Sequence, residues 1–204
     1  MLVSRLQITF KSIVMIADYF PVKRNDNWEL RYEHRSNALK KGMFAFVSWE
    51  WVIPFAEWIG ERKCLEVMAG RGWLSYALRQ RDIDVIATDD YSWHKEQKWE
   101  EPVTTVEEIN CVDSITVYGR DIDILIMSWP YMDSNAYDTI KALHEVNPEA
   151  LIVYIGEGYG GCTADDMFFE HISFIEDDEL FNKASGRFKS FDGIHDRLRL
   201  GKYK

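Results

Sequence analysis

Apolar residues in this chain gather into short dense runs separated by stretches of helical period, and the alternation begins near residue 63. Cys64 to Met68, Asp84 to Thr88, Ile122 to Met127 and Leu151 to Ile155 have the length and branched apolar content of strands buried on both faces. Val103 to Ile109 is a weaker run of the same kind. Between them, Trp73, Leu74, Ala77 and Leu78 share one helical face, as do Ala136, Ile140 and Leu143. Met167, Phe168, His171, Ile172 and Ile175 predict one more helix, running on to Ile175. Such alternation predicts an α/β fold with a doubly wound, mostly parallel sheet, because right-handed crossovers put helices on both faces. The last stretch, Phe188 to Tyr203, has glycines at 193 and 201 around Ile194, Leu198 and Leu200, and predicts a terminal hairpin strand forming an antiparallel edge.

Ahead of the first strand, Phe44, Val47, Trp51, Phe55 and Trp58 recur every three or four residues, a helical period in which Pro54 is expected to restart the helix. No repeat, low-complexity tract or linker interrupts the chain, so a single domain is expected over residues 1–204. It divides into a helical extension, 1–62, and an α/β core, 63–204. Trp49, Trp51 and Trp58 either pack as core or lid a ligand.

Composition narrows the class. The chain is 47% hydrophobic and 28% charged, typical of a domain that folds in water. No apolar stretch approaches a membrane span, and the opening segment is broken by Arg5, Gln7, Lys11 and Ser12, so neither an anchor nor a signal peptide is expected and the cytoplasm is the expected location. Cys64, Cys111 and Cys162 are odd in number and far apart, and the five histidines lack ligand spacing; no metal site is expected. A net charge of -10 disfavours gripping long nucleic acid, although Lys23, Arg24, Arg31, Arg35, Lys40 and Lys41 make a local basic excess.

Candidate chemistry begins where the first strand runs into LEVMAGRGWL. Gly70 and Gly72 permit a tight turn and close approach of a ligand just before a helix N-terminus. Asp89 and Asp90 close the second strand 17 to 20 positions later, where a carboxylate accepts both hydroxyls of a ribose; Asp89 is the better placed. The fifth strand ends in GEGYGGCTADD, with four glycines around Glu157 and Thr163 as expected helix cap. Glu157 there could orient an amine or act as a base.

LEVMAGRG followed by ATDD resembles the first two motifs of class I S-adenosylmethionine-dependent methyltransferases, whose usual form is an acidic residue and then GxGxG. The resemblance implies that Glu66 takes the acidic position, Gly70 and Gly72 the second and third glycines, and Met68 the place of the first. It also implies an Asn or Asp near the adenine after the third strand, which Asn110 or Asp113 could supply. SWPY, Ser128 to Tyr131, resembles the [DNS]PP[YFW] loop of methyltransferases acting on amino nitrogens, with Trp129 in place of the first proline. By that resemblance Ser128, Pro130 and Tyr131 frame the acceptor, and position supplies most of the catalysis.

WVIP with Glu57, the first turn, the WPY loop and the GEGxGGCTxDD stretch together resemble a methyltransferase-like family of unassigned substrate, over roughly residues 49 to 200. The implied cofactor is S-adenosylmethionine. The acidic charge points to a small-molecule or protein acceptor before duplex DNA, and a partner subunit could complete substrate recognition. Two other functions share the crevice: a non-catalytic cofactor-binding module and an NAD(P)-dependent oxidoreductase.

Overall fold

A computed structural model describes residues 15–95, 100–176 and 179–204; the expectations for the opening segment lie, up to residue 14, outside them. Two helices come first, α1 (Trp28–Lys40) and α2 (Trp49–Ile59). The alternating part follows as β1 (Cys64–Val67), α3 (Trp73–Arg79), β2 (Val85–Asp89), β3 (Glu107–Glu108), α4 (Cys111–Tyr118) and β4 (Ile124–Ser128). It continues with α5 (Asn135–Val146), β5 (Leu151–Gly156), α6 (Asp166–His171), β6 (Ile172–Ile175), α7 (Glu179–Arg187) and β7 (Arg197–Tyr203). A 3-10 turn, Ser92–Lys95, follows β2.

The strands form one sheet in the order β3-β2-β1-β4-β5-β7-β6. β1 to β5 pair in parallel, and β7 runs antiparallel to both β5 and β6. The α/β class and the antiparallel C-terminal strand therefore stand as the sequence pattern predicts, with β7 lying inside that end of the sheet and β6 at its edge. The chain moves outward from β1 to β3 and then returns to build β4, β5 and beyond on the other side. The carboxyl ends of β1 and β4 thus flank the switch point, where a crevice opens in sheets of this kind.

The pleat sorts the core into two layers. Cys64, Ile124, Ile126, Val153, Ile155, Leu198 and Leu200 face α2, α3 and α7. Leu65, Val67, Leu125, Met127, Ile152 and Tyr154 face α4, α5 and α6. Both faces are covered, as the continuously apolar strands require.

Four expectations need correction. The helix read through Ile175 stops at His171, and Ile172–Ile175 instead pairs with Leu200–Tyr203 of β7. Ile172 is buried while Ser173 faces out, a period of two that the flanking helical spacing conceals. Pro54 lies inside α2 rather than restarting it, and Phe44 and Val47 precede the helix, which begins after Ser48. Proline there removes one backbone donor, but Trp51, Phe55 and Trp58 hold the helix by packing on Phe181 and Phe188. Trp51 and Trp58 are consequently core side chains, not lids. The run Val103 to Ile109 yields only the two residues of β3, because its backbone is engaged elsewhere. The amide of Val103 donates to the Arg71 carbonyl, and the carbonyls of Thr105 and Val106 accept from Arg79 and Tyr91. Thr163 does not cap α6; Asp165 does, accepting from the Phe168 amide.

Candidate active site at the sheet switch point

The turn after β1 uses left-handed backbone three times, at Met68 (φ 53°), Gly70 (φ 55°) and Gly72 (φ 75°). Met68 stands where a glycine would adopt this conformation without strain, and an L-residue there costs about 1–2 kcal/mol. The missing first glycine therefore leaves the shape of the turn intact. The two remaining glycines serve different ends. A Cβ on Gly72 would lie 2.8 Å from Val106 Cγ2 and 2.9 Å from Thr104 Cγ2, so that glycine lets the segment before β3 close over the turn. A Cβ on Gly70 would meet nothing within 4 Å, so Gly70 borders open space into which a ligand can come.

Arg71, between them, is buried. Its guanidinium donates to the carbonyl of Lys41 at 2.9 Å and to that of Glu101 at 2.8 and 3.0 Å. The Trp73 indole donates to the same Lys41 carbonyl. The chain leaving α1 and the loop before β3 are thereby stitched to the turn. Nothing in the motif reading singled out Arg71; its place between two glycines, where a long side chain is unusual, was the available signal.

Three expected cofactor residues meet around this turn. Glu66, 2% exposed, accepts from the amide of Ser75 at 2.9 Å and from its hydroxyl, tying β1 to the first turns of α3. Burial pushes its carboxyl up to about 7. Asp89, 5% exposed, accepts from the Gly70 amide at 2.7 Å on one oxygen. Its other oxygen accepts from the Tyr91 amide at 2.7 Å and the Trp93 indole at 2.9 Å. Burial raises the Asp89 pKa against these three donors. Asp89 thus reaches the glycine turn on one oxygen and carries an indole N–H on the other. Asn110 and Asp113 are exposed partners: Asn110 caps α4 by accepting from the Asp113 amide, and its own amide group donates to the Asp113 carboxylate. The Ile109 amide donates to the Asp89 carbonyl, which keeps this cap beside the second-strand end.

Across the switch point from the glycine turn stands the loop after β4. Ser128 is half-buried, Pro130 is buried and Tyr131 is exposed. Trp129 turns inward, in left-handed backbone (φ 57°) with its amide donating to the Ile155 carbonyl. Its indole donates to Asp196 Oδ2 at 2.8 Å, and its ring lies 5.9 Å from that of Phe44. A bulky residue at positive φ marks strain that the surroundings must hold, a condition concentrated at ligand sites.

Asp196, just before β7, is buried. Its Oδ1 has no hydrogen-bond partner among the described residues, and the Ser190 hydroxyl beside it donates to the Asp196 backbone carbonyl. Burial pushes its carboxyl upward. Glu157 has the opposite character. Its two oxygens accept from the amides of His195 at 3.0 Å and Cys162 at 2.9 Å, and these bonds hold it below the usual carboxylate range. It clamps the glycine loop to the start of β7, while Thr163 accepts from the Glu157 amide and pairs with Tyr154. His195 is exposed beside it.

The strand order and the helices on both faces match the class I methyltransferase fold. Among solved structures, the chain is similar to a TehB-like SAM-dependent methyltransferase from Corynebacterium glutamicum, at 12% identity and a TM-score of 0.50, over 87% of this chain and 100% of the other. It is also similar to TehB from Haemophilus influenzae, at 14% identity and a TM-score of 0.48, over 81% and 67% of the two chains. No protein-family model matches the chain, and no curated protein is similar in sequence.

Proposed function

We propose that this protein is an S-adenosylmethionine-dependent methyltransferase acting on an amino nitrogen. The observation that carries the reading is the left-handed turn of Met68 to Gly72 at the switch point, joined to the second-strand carboxylate by the Gly70–Asp89 hydrogen bond. The residues present fit the cofactor: Gly70 borders open space, Asp89 offers an acidic acceptor to ribose hydroxyls, and Asn110 or Asp113 would meet the adenine. One local change accompanies binding, withdrawal of the Trp93 indole from Asp89. Glu66 keeps the turn in register through Ser75.

When bound, the cofactor supplies a methyl group made electrophilic by a sulfonium. The protein then has to hold and desolvate the acceptor and accept its proton. Ser128 and the Pro130 region hold the amine, with Trp129 and Tyr131 offering aromatic faces. Glu157 is anchored by two amides and held low, so its part is to fix the loop. Asp196 has an unpartnered oxygen and a raised pKa beside Trp129, and is the better proton acceptor.

Calorimetric titration with S-adenosylmethionine, S-adenosylhomocysteine and the oxidised and reduced nicotinamide dinucleotides tests this reading. The first two are expected to bind, with affinity at least tenfold weaker in Asp89→Ala and in the isosteric Asp89→Asn. Binding of nicotinamide dinucleotides alone would replace the reading with an oxidoreductase.

A further inference from the structure

Beside the proposed acceptor loop the surface is more apolar than a solvated rim needs to be. Tyr131 is 73% exposed, Met132 52%, Tyr159 66% and Met167 41%. They come from the β4 loop, the glycine-rich β5 loop and α6, and of the four Met132 and Met167 line an open cleft of about 370 Å³ together with Gly160, Gly161, Asp165 and Asp166. A Cβ on Gly160 would meet nothing within 4 Å, so the floor of the cleft is bare backbone. Tyr131 adjoins Pro130, and the Pro130 carbonyl accepts from the Ala164 amide, so this cleft continues directly from the acceptor loop.

The charge around the cleft is acidic in excess, with the Lys204 ammonium donating to the Glu170 carbonyl at 2.7 Å and Arg199 beside Gly158 as the cations near it. Asp133, Asp165, Asp166 and Glu170 stand around it, and the field of Asp166 and Glu170 contributes to holding the Tyr159 phenol above its ordinary range. The ion pairs among the described residues, Arg31–Asp192, Arg71–Glu100 and Lys202–Glu149, involve none of these carboxylates. Such a surface repels phosphate backbones. Its openness suits an extended chain better than a small molecule, which is usually enclosed. Methionines adapt to irregular apolar stems, and the stem of a lysine lies along an apolar surface while its ammonium reaches a carboxylate.

We propose that this rim docks a basic segment of a partner protein and that the methyl acceptor is a lysine amine carried by that segment. The substrate assignment rests on the methyltransferase reading; the docking does not. Charge complementarity selects the partner, and the Tyr and Met side chains bind its stems beside the loop where the amine must arrive.

The experiment is fluorescence polarisation of a labelled ten-residue peptide of alternating lysine and alanine, with the glutamate-alanine peptide as reference, in low and moderate salt. Cofactor binding is measured separately by calorimetry. The lysine peptide is expected to bind and the glutamate peptide to fail. The double reversal Asp166→Lys with Glu170→Lys should weaken binding at least tenfold, and Met132→Ser with Met167→Ser about fivefold. Reversal of Glu29 and Glu33 on α1, exposed and distant in sequence, should leave it within twofold. Absence of binding, or equal weakening by both charge reversals, would overturn the proposal, since the latter is attraction to net charge alone. Peptide binding without cofactor binding would keep the docking site and remove the methyltransferase reading. Cofactor binding without peptide binding would do the reverse.

Discussion

Replacing Glu66 by glutamine should stabilise the protein above neutral pH and flatten its pH dependence. The carboxyl is fully buried and its pKa is raised from 4.5 to about 7, with burial the dominant cause and the Ser75 hydrogen bonds opposing it. Between these values the folded chain keeps a proton that the unfolded chain has released, so stability falls as pH rises and the loss is complete above about 7. Linkage puts the difference between pH 5 and pH 8 at about 2.5 kcal/mol. Glutamine presents an oxygen to the Ser75 amide and hydroxyl without the ionisation, so Glu66→Gln should gain about that amount on wild type over the interval. Urea unfolding of both proteins at pH 5, 6, 7 and 8 reads it directly. The other raised carboxylate away from this turn, Asp196, tilts both curves alike and cancels in the comparison. Parallel curves for the two proteins would refute the reasoning, because they would mean that Glu66 carries the same charge folded and unfolded.

Trp93→Phe removes the indole donor from Asp89 while keeping an aromatic ring. Since a hydrogen bond to a charged group contributes about 1.5–3 kcal/mol, calorimetry should show S-adenosylmethionine binding about tenfold or more tighter, and unchanged or weaker binding would show that Trp93 does not compete with the ligand. Gly72→Ala introduces a Cβ at φ 75° against Val106 and Thr104, so it should lower unfolding free energy by roughly 2–4 kcal/mol; a loss below about 1 kcal/mol would place that contact outside the stable fold. Trp129→Phe strips the buried Asp196 carboxylate of its indole partner and should cost about 1.5–3 kcal/mol at pH 8, and less at pH 5, where a proton can replace the lost donor. An equal loss at both pH values would mean that packing, and not the charge, sets the effect.

The parts of the fold legible from the chain are those where one element dictates its own pattern. β1, β2, β4 and β5 are buried on both faces, so each reads as an apolar run whatever its neighbours do. β6 is different: Ile172–Ile175 is a strand because β7 offers it an edge, and the His171–Ile172 boundary leaves no mark in a window whose apolar spacing suits a helix. α7 likewise owes its place to Phe55 and Trp58 of α2, more than a hundred residues away, which receive Phe181.

The site divides along the same line. Glycine positions and the acidic end of β2 are local demands of a turn, so Gly70, Gly72 and Asp89 could be found from spacing alone. The character of the carboxylates could not. Glu157 and Asp196 are both acids near the carboxyl end of β5, yet two backbone amides hold one low while burial pushes the other up. Which amides arrive depends on the β7 approach, where His195 donates its backbone to Glu157 and the next residue turns inward toward Trp129. Which of the two acids is raised is therefore set by a crossing of β4, β5 and β7 that no single segment encodes. Trp129 follows from the same crossing: where the related loop carries proline, this chain has a donor that can reach Asp196, and the left-handed backbone at Trp129 is the local strain that this contact maintains.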